Sequence, residues 1–194
     1  KYWVGNKKDI MKKIKSALIS VSDKSNLIKV LQILKKNNVK IISSGGTFKE
    51  IQKLRFKCLE VSDFTGFNEI LGGRIKTLHP KIHAGILNKR NDKSHQKDLK
   101  INNFENIDLV IVNFYPFSEI LKKTNNHNKI IENIDIGGPT MVRAAAKNYN
   151  DVTIITSTDQ YSDLINQLKT YKGSTTLEFR KKMSREAFDE TAYY

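Results

Sequence analysis

Six of the chain's ten glycines stand in three adjacent pairs, Gly45-Gly46, Gly72-Gly73 and Gly137-Gly138. A glycine pair lets backbone approach a ligand, and a helix N-terminus offers unpaired N–H groups to an anion. The first pair lies in Ser44-Gly45-Gly46-Thr47, between an expected strand and an expected helix. The second opens LGGRIKTLHPKIHAG (Leu71 to Gly85), where Arg74, Lys76 and Thr77 follow within a few residues. The third precedes a helix. Ser22, Lys24, Ser44 and Thr47 offer hydroxyls and a charge for a phosphate, and Arg74, Lys76 and Thr77 add donors. Asn113, Tyr115 and Asp135 carry groups able to read a polar ring. Singly, each piece reads as an ordinary turn: SSGGT is not a Walker loop, and no Gly-x-Gly-x-x-Gly fingerprint occurs. The combination is more specific, and it points to a small phosphorylated ligand.

These residues need elements that bring them together. SALISVS (Ser16 to Ser22), VKIIS (Val39 to Ser43), FKCLEV (Phe56 to Val61), IDLVIVNF (Ile107 to Phe114) and VTIITS (Val152 to Ser157) read as strands. The fourth is apolar almost throughout, as suits a central parallel strand covered on both faces. Leu27, Leu31 and Leu34 recur at helical spacing, and Asn37-Asn38 closes that helix. Further helices are expected near Phe48 to Leu54, at Met141 to Asn148 behind Pro139, at Gln160 to Tyr171 and at Thr176 to Thr191. Ser62 to Asn103 reads as loop-rich. Strands alternating with helices predict an α/β fold with a mostly parallel central sheet flanked by helices. In such sheets ligands sit beyond the carboxyl ends of the strands, where SVSDK, SSGGT and NFYPF all fall.

The 194 residues suit one domain, 16–194, behind a basic N-terminal extension, 1–15. No run of eighteen apolar residues occurs, so no membrane span is expected. The start lacks a signal peptide's apolar centre, and the single Cys58 forms no internal disulfide. Cys58 reads as a packed thiol on a strand, and the whole pattern fits the cytoplasm. The net charge of +14 is spread through nearly every segment, so it reads as a solvated surface rather than a nucleic-acid stripe. Its field helps to collect a phosphorylated substrate. His79 and His83 have metal-like spacing, but Pro80 lies between them and no third ligand is near. No metal is expected, and HPKIH reads as shaping its loop. NNHNK (Asn125 to Lys129) reads as an exposed loop.

SVSDK, SSGGT, TGFNEILGGRIKTLHPKIHAGIL, VNFYPF and IDIGGPTMVRAAAKN together resemble inosine monophosphate (IMP) cyclohydrolase, the N-terminal domain of bifunctional purine-biosynthesis proteins. The resemblance runs from Ala17 to Tyr194. It implies a methylglyoxal-synthase-like three-layer fold. It also implies closure of 5-formamidoimidazole-4-carboxamide ribonucleotide to IMP with loss of water, using no cofactor. It places the 5′-phosphate on Ser22, Lys24, Ser44, Gly45, Gly46 and Thr47. It places the base against Arg74, Lys76 and Thr77, Asn113 and Tyr115, and Asp135, Ile136, Gly137 and Gly138. It assigns Lys147 as proton donor and acceptor. Phe114 stands where leucine is commoner in the family, and Tyr149 where many relatives have histidine. The family also implies a homodimer, and a C-terminal formyltransferase domain of which nothing is present here.

In this reaction a carboxamide nitrogen attacks a formyl carbon on the same molecule. Holding the attack conformer supplies part of the roughly 7–11 kcal/mol available to well-oriented reactions. Asp135 is the candidate to orient or deprotonate the carboxamide; Lys76 and Tyr115 are candidates to stabilise the developing oxyanion. Three rivals remain: a regulatory nucleotide-binding domain, methylglyoxal synthase and a nucleic-acid module. The regulatory domain has no need of Asp135, Tyr115 and Lys147, and the synthase has no use for GGRIKTLHP and DIGGPT.

Overall fold

The structure, a computed structural model, describes residues 11–114 and 117–194. Its elements in chain order are β1 (Met11–Lys13), β2 (Ser16–Val21), α1 (Leu27–Lys36), β3 (Lys40–Ser43), α2 (Gly45–Lys53), β4 (Leu59–Glu60) and α3 (Val61–Thr65). A 3-10 turn at Leu71–Gly73 leads to α4 (Pro80–Leu87), α5 (Lys93–Ile101), β5 (Leu109–Asn113), α6 (Phe117–Lys123), α7 (His127–Glu132) and α8 (Gly137–Lys147). Then come β6 (Thr153–Ile155), a second 3-10 turn at Thr158–Gln160, α9 (Tyr161–Thr170), β7 (Ser174–Thr176) and α10 (Leu177–Tyr193).

The apolar runs of β2 and β5 become neighbours at the middle of a five-stranded parallel sheet, ordered β4-β3-β2-β5-β6. Ala17 lies opposite Leu109, and Leu18 opposite Val110. All four are fully buried, because helices cover both faces. The expected α/β class with a parallel sheet is therefore what the chain forms. From β2 the chain moves through β3 to β4; it returns at β5 on the other side of β2 and moves away to β6. Right-handed crossovers then put α1 and α8 on opposite faces. α1 packs on α9, and α8 on α4 and α10. The reversal of direction falls between β2 and β5, where open α/β sheets form a crevice at their carboxyl edge.

Several boundaries differ from the sequence reading. Only Leu59–Glu60 of FKCLEV pairs as a strand, and Val61 already opens α3. β4 is an edge strand bonded to β3 alone, which allows it to be short. Cys58 just before it is half-buried and free, and burial pushes its thiol up to about 12. The section read as loop holds α3, α4 and α5. Pro80 stands at the permitted start of α4, and the His79 Nδ1 accepts the Lys81 N–H at 3.1 Å. Asp92 caps α5, accepting the N–H groups of Ser94 at 2.9 Å and His95 at 3.3 Å. NNHNK is not all loop: Asn126 caps α7 by accepting the Lys129 N–H at 3.1 Å. At the amino end, residues 1–10 of the expected extension lie outside the described residues. Met11–Lys13 pair antiparallel with Ser174–Thr176 as β1 and β7.

Candidate functional site

The site forms at the carboxyl ends of β2 and β5. Asn113 ends β5, and its Oδ1 accepts the N–H groups of Ser22 at 2.6 Å and Asp23 at 3.0 Å. Its Nδ2 donates to the Asp23 carbonyl at 2.9 Å. The carboxamide thus braces the Ser22-Asp23-Lys24 turn. The Lys24 ammonium folds back to donate to the Ser22 carbonyl at 3.2 Å. On the other side of β2, the Thr47 hydroxyl accepts the Val21 N–H and donates to the Val21 carbonyl, both at 3.0 Å. Thr47 so ties the first turn of α2 to the end of β2.

Ser44, buried and extended, precedes α2 and makes no side-chain cap bond. An uncapped first turn leaves N–H groups for an anion. At Gly46 a side chain would meet nothing within 4 Å, so space is open beside this turn. At Gly45 a Cβ would lie 3.3 Å from the Lys76 Nζ, which brings the RIKT segment against the same turn. Lys76 pairs with Glu69 at 2.5 Å. Thr77 is buried, and its Oγ1 lies 2.6 Å from where a Gly137 Cβ would stand. His83 on α4 hydrogen-bonds the Thr77 backbone, while burial lowers the pKa of its ring.

The third glycine pair opens α8. Asp135 accepts the Gly138 N–H at 2.8 Å, and any Cβ on Gly138 would collide with that carboxylate. Two effects oppose each other on this side chain. Burial pushes its pKa up, and the N–H groups of Gly138 and Gly137 pull it down; burial prevails. The backbone N–H of Asp135 donates to the Tyr194 hydroxyl at 2.8 Å.

A path of contacts therefore runs from Asn113 through Ser22, Val21, Thr47, Gly45, Lys76, Thr77 and Gly137 to Asp135, with Lys24 folded back on Ser22 beside it. Ser44, Gly46 and Gly138 lie along it, and Ile136 stands at the rim, 59% exposed. Arg74 is on the same loop but exposed, its guanidinium clasping Glu132 with Nε–Oε2 at 3.3 Å. Tyr115 lies outside the described residues. Lys147 is not brought to the cluster. It ends α8, an 11-residue helix that spans about 15 Å at ~1.5 Å per residue. The next residue, Asn148, donates to the carbonyls of Ile86 at 2.8 Å and Asn88 at 2.9 Å, and the chain then enters β6 at its amino end. That is the edge of the sheet opposite the site.

Three contributors escaped sequence reasoning. Glu69 had a local signal, an opposite charge seven residues before Lys76. Glu132 and Tyr194 had none, being 58 and 59 residues from their partners.

A parallel sheet with a glycine-rich rim at its switch point defines the class. Residues 26–140 match the MGS-like domain family, and the chain belongs to it. Residues 145–194 match a second family, the AICARFT/IMPCHase bienzyme. The bifunctional purine biosynthesis protein PurH of Prochlorococcus marinus (strain NATL2A) is 53% identical over 180 residues, 92% of this chain and 34% of that protein. PurH of Acetivibrio thermocellus is 48% identical over 182 residues, 93% of this chain and 35% of that protein. The chain thus spans about a third of the length of these curated relatives. The crystal structure of ForH is similar with a TM-score of 0.82 and 28% identity, covering 93% of this chain and 95% of that one.

Proposed function

We propose that the rim binds 5-formamidoimidazole-4-carboxamide ribonucleotide and closes it to IMP, releasing water, as a step of purine biosynthesis. One observation carries the reading: the uncapped α2 turn, Lys76 and the half-buried Asp135 converge on one rim, beside open space at Gly46. The PurH relatives, which align along nearly the whole of this chain, support the same substrate class.

The 5′-phosphate seats on the Ser22–Lys24 turn and the Ser44–Thr47 turn, where N–H groups and an ammonium meet its charge. The base extends toward Lys76, Thr77 and Asp135. Gripping both ends of the nucleotide holds the formyl carbon close to the carboxamide nitrogen. As the C–N bond forms, the nitrogen sheds a proton and negative charge gathers on the formyl oxygen. Asp135 is placed to take the proton, and a carboxylate with a raised pKa suits a base working near neutrality. The Lys76 ammonium stabilises the oxygen. That oxygen then leaves as water, carrying the proton that Asp135 took and the one that the formamide nitrogen gives up as the C–N double bond forms, and the ring becomes that of IMP.

A nucleotide of this kind is met in the cytoplasm, and no helix among the described residues is long and apolar enough to cross a membrane. A homodimer and a formyltransferase domain that makes the substrate are the expected partners. Nucleic acid is not a proposed partner. The test is direct. The protein is mixed with the formylated ribonucleotide in the presence of a chelator, and IMP is followed by ultraviolet absorbance. Steady turnover is expected. Tight nucleotide binding without turnover would replace this reading with that of a regulatory domain.

A further inference from the structure

Tyr194 is turned into the protein, whereas its neighbour Tyr193 is 92% exposed. Its hydroxyl accepts the backbone N–H of Asp135 at 2.8 Å. Its ring packs on Phe114 with centroids 4.9 Å apart and meets Phe117 edge-on at 6.5 Å. Phe114 directly follows Asn113, whose carboxamide braces the Ser22–Asp23 turn. One side chain therefore touches two segments of the rim that are far apart in sequence: the end of β5, and the entry to α8. Burial raises the pKa of its phenol and outweighs the lowering pull of the Asp135 N–H, so the hydroxyl stays neutral at physiological pH.

We propose that Tyr194 is a positioning residue for the ring-closing reaction. The inference rests on the cyclohydrolase reading. The hydroxyl fixes the backbone of Asp135, and with it the carboxylate at the mouth of α8. The ring fixes Phe114, and with it Asn113. Tyr194 touches no reacting atom in this scheme. A small displacement of a catalytic group lowers rate far more than it lowers stability, because attack geometry is what the site supplies. A tyrosine that merely anchored the end of α10 would need its ring and not its hydroxyl.

Two variants separate these roles. Tyr194→Phe keeps the ring and removes the acceptor, and Tyr194→Ala removes both. The expected result for Tyr194→Phe is a kcat about tenfold lower, with KM within about twofold of the parent and an unchanged melting temperature. Tyr194→Ala should in addition raise KM at least about threefold, through the loosened Asn113 segment. A Tyr194→Phe protein with parental kcat overturns the proposal. So does a loss that follows the unfolded fraction and vanishes on cooling. The parent assayed alongside keeps the two readings apart. Should it bind IMP and form none, the cyclohydrolase reading fails and a positioning role in ring closure fails with it; a parent that turns over beside a Tyr194→Phe protein of parental kcat overturns the positioning role alone.

Discussion

Asp135 is held where burial outweighs the pull of hydrogen bonds, and its ionisation should be visible in the rate. Burial raises its pKa above the ordinary 3.8, against the pull of two N–H groups at the start of α8. If the carboxylate accepts the proton, kcat/KM falls as pH drops through this raised value. The acid limb of the kcat/KM profile should therefore lie above the usual carboxylate range, and Asp135→Asn should abolish both the limb and most of the rate. The effect on stability has the opposite sign. A raised folded pKa means that the protonated form fits the fold better. That contribution is complete below the unfolded value and is lost as pH rises through the folded one. Melting followed across this window, parent against Asp135→Asn, checks the sign. Glu69 gives a second residue-scale prediction. It pairs with Lys76 in a half-exposed ion pair, which a nucleotide base seated on Lys76 would displace. Exposed pairs are worth about 0–1 kcal/mol, so Glu69→Gln should lower the KM of the nucleotide by up to about fivefold. A higher KM, measured at fixed salt, would mean that Glu69 aims Lys76 rather than competes for it.

At the scale of elements, LGGRIKTLHPKIHAG divides into a part that lines the candidate rim and a part that packs. Gly85 belongs to the second. A Cβ there would lie 2.7 Å from the Glu105 carbonyl and 3.2 Å from Ile107, because α4 is pressed against the segment that leads into β5. Overpacking of this kind costs typically 1–3 kcal/mol, and about 2–4 °C of melting temperature accompanies each kcal/mol in a domain of this size. Gly85→Ala should thus melt about 2–12 °C lower while its folded fraction keeps the parental KM. A raised KM at unchanged melting temperature would move Gly85 into the site. The same stretch shows what was legible beforehand. The apolar runs of β2 and β5 announced themselves, because burial on both faces demands an unbroken apolar sequence. α4 and α5 did not, since their start signals are a histidine before Pro80 and an aspartate at position 92 within a polar stretch. The turns of the candidate rim, Ser22–Lys24 and Ser44–Thr47, stood out beforehand by their glycine and hydroxyl spacing. Glu132 against Arg74 and Tyr194 against Asp135 were not, because contacts between residues almost sixty apart leave no local pattern.

For the whole molecule, the candidate site lies along one edge of the sheet, and Lys147 belongs to the opposite edge. The resemblance in sequence assigned it proton transfer. The fold sets it at the far end of α8 from Asp135, about 15 Å along an 11-residue helix. No proton crosses such a span in one step, because a donor must come within hydrogen-bond reach of the atom it serves. A pocket made by one chain alone should then depend on Lys76 and not on Lys147. Lys147 is exposed and closes its helix, so Lys147→Ala should fold as the parent does. Its kcat is expected within about threefold of the parent, whereas Lys76→Ala should lose about 100-fold or more. Steady-state IMP formation by the two variants, with melting curves as a control, decides the matter. An equal loss in Lys147→Ala at full stability would mean that its ammonium serves the pocket of another copy. Mixing the two inactive variants would in that case restore activity that neither has alone, since a hybrid dimer would hold one site with both lysines intact.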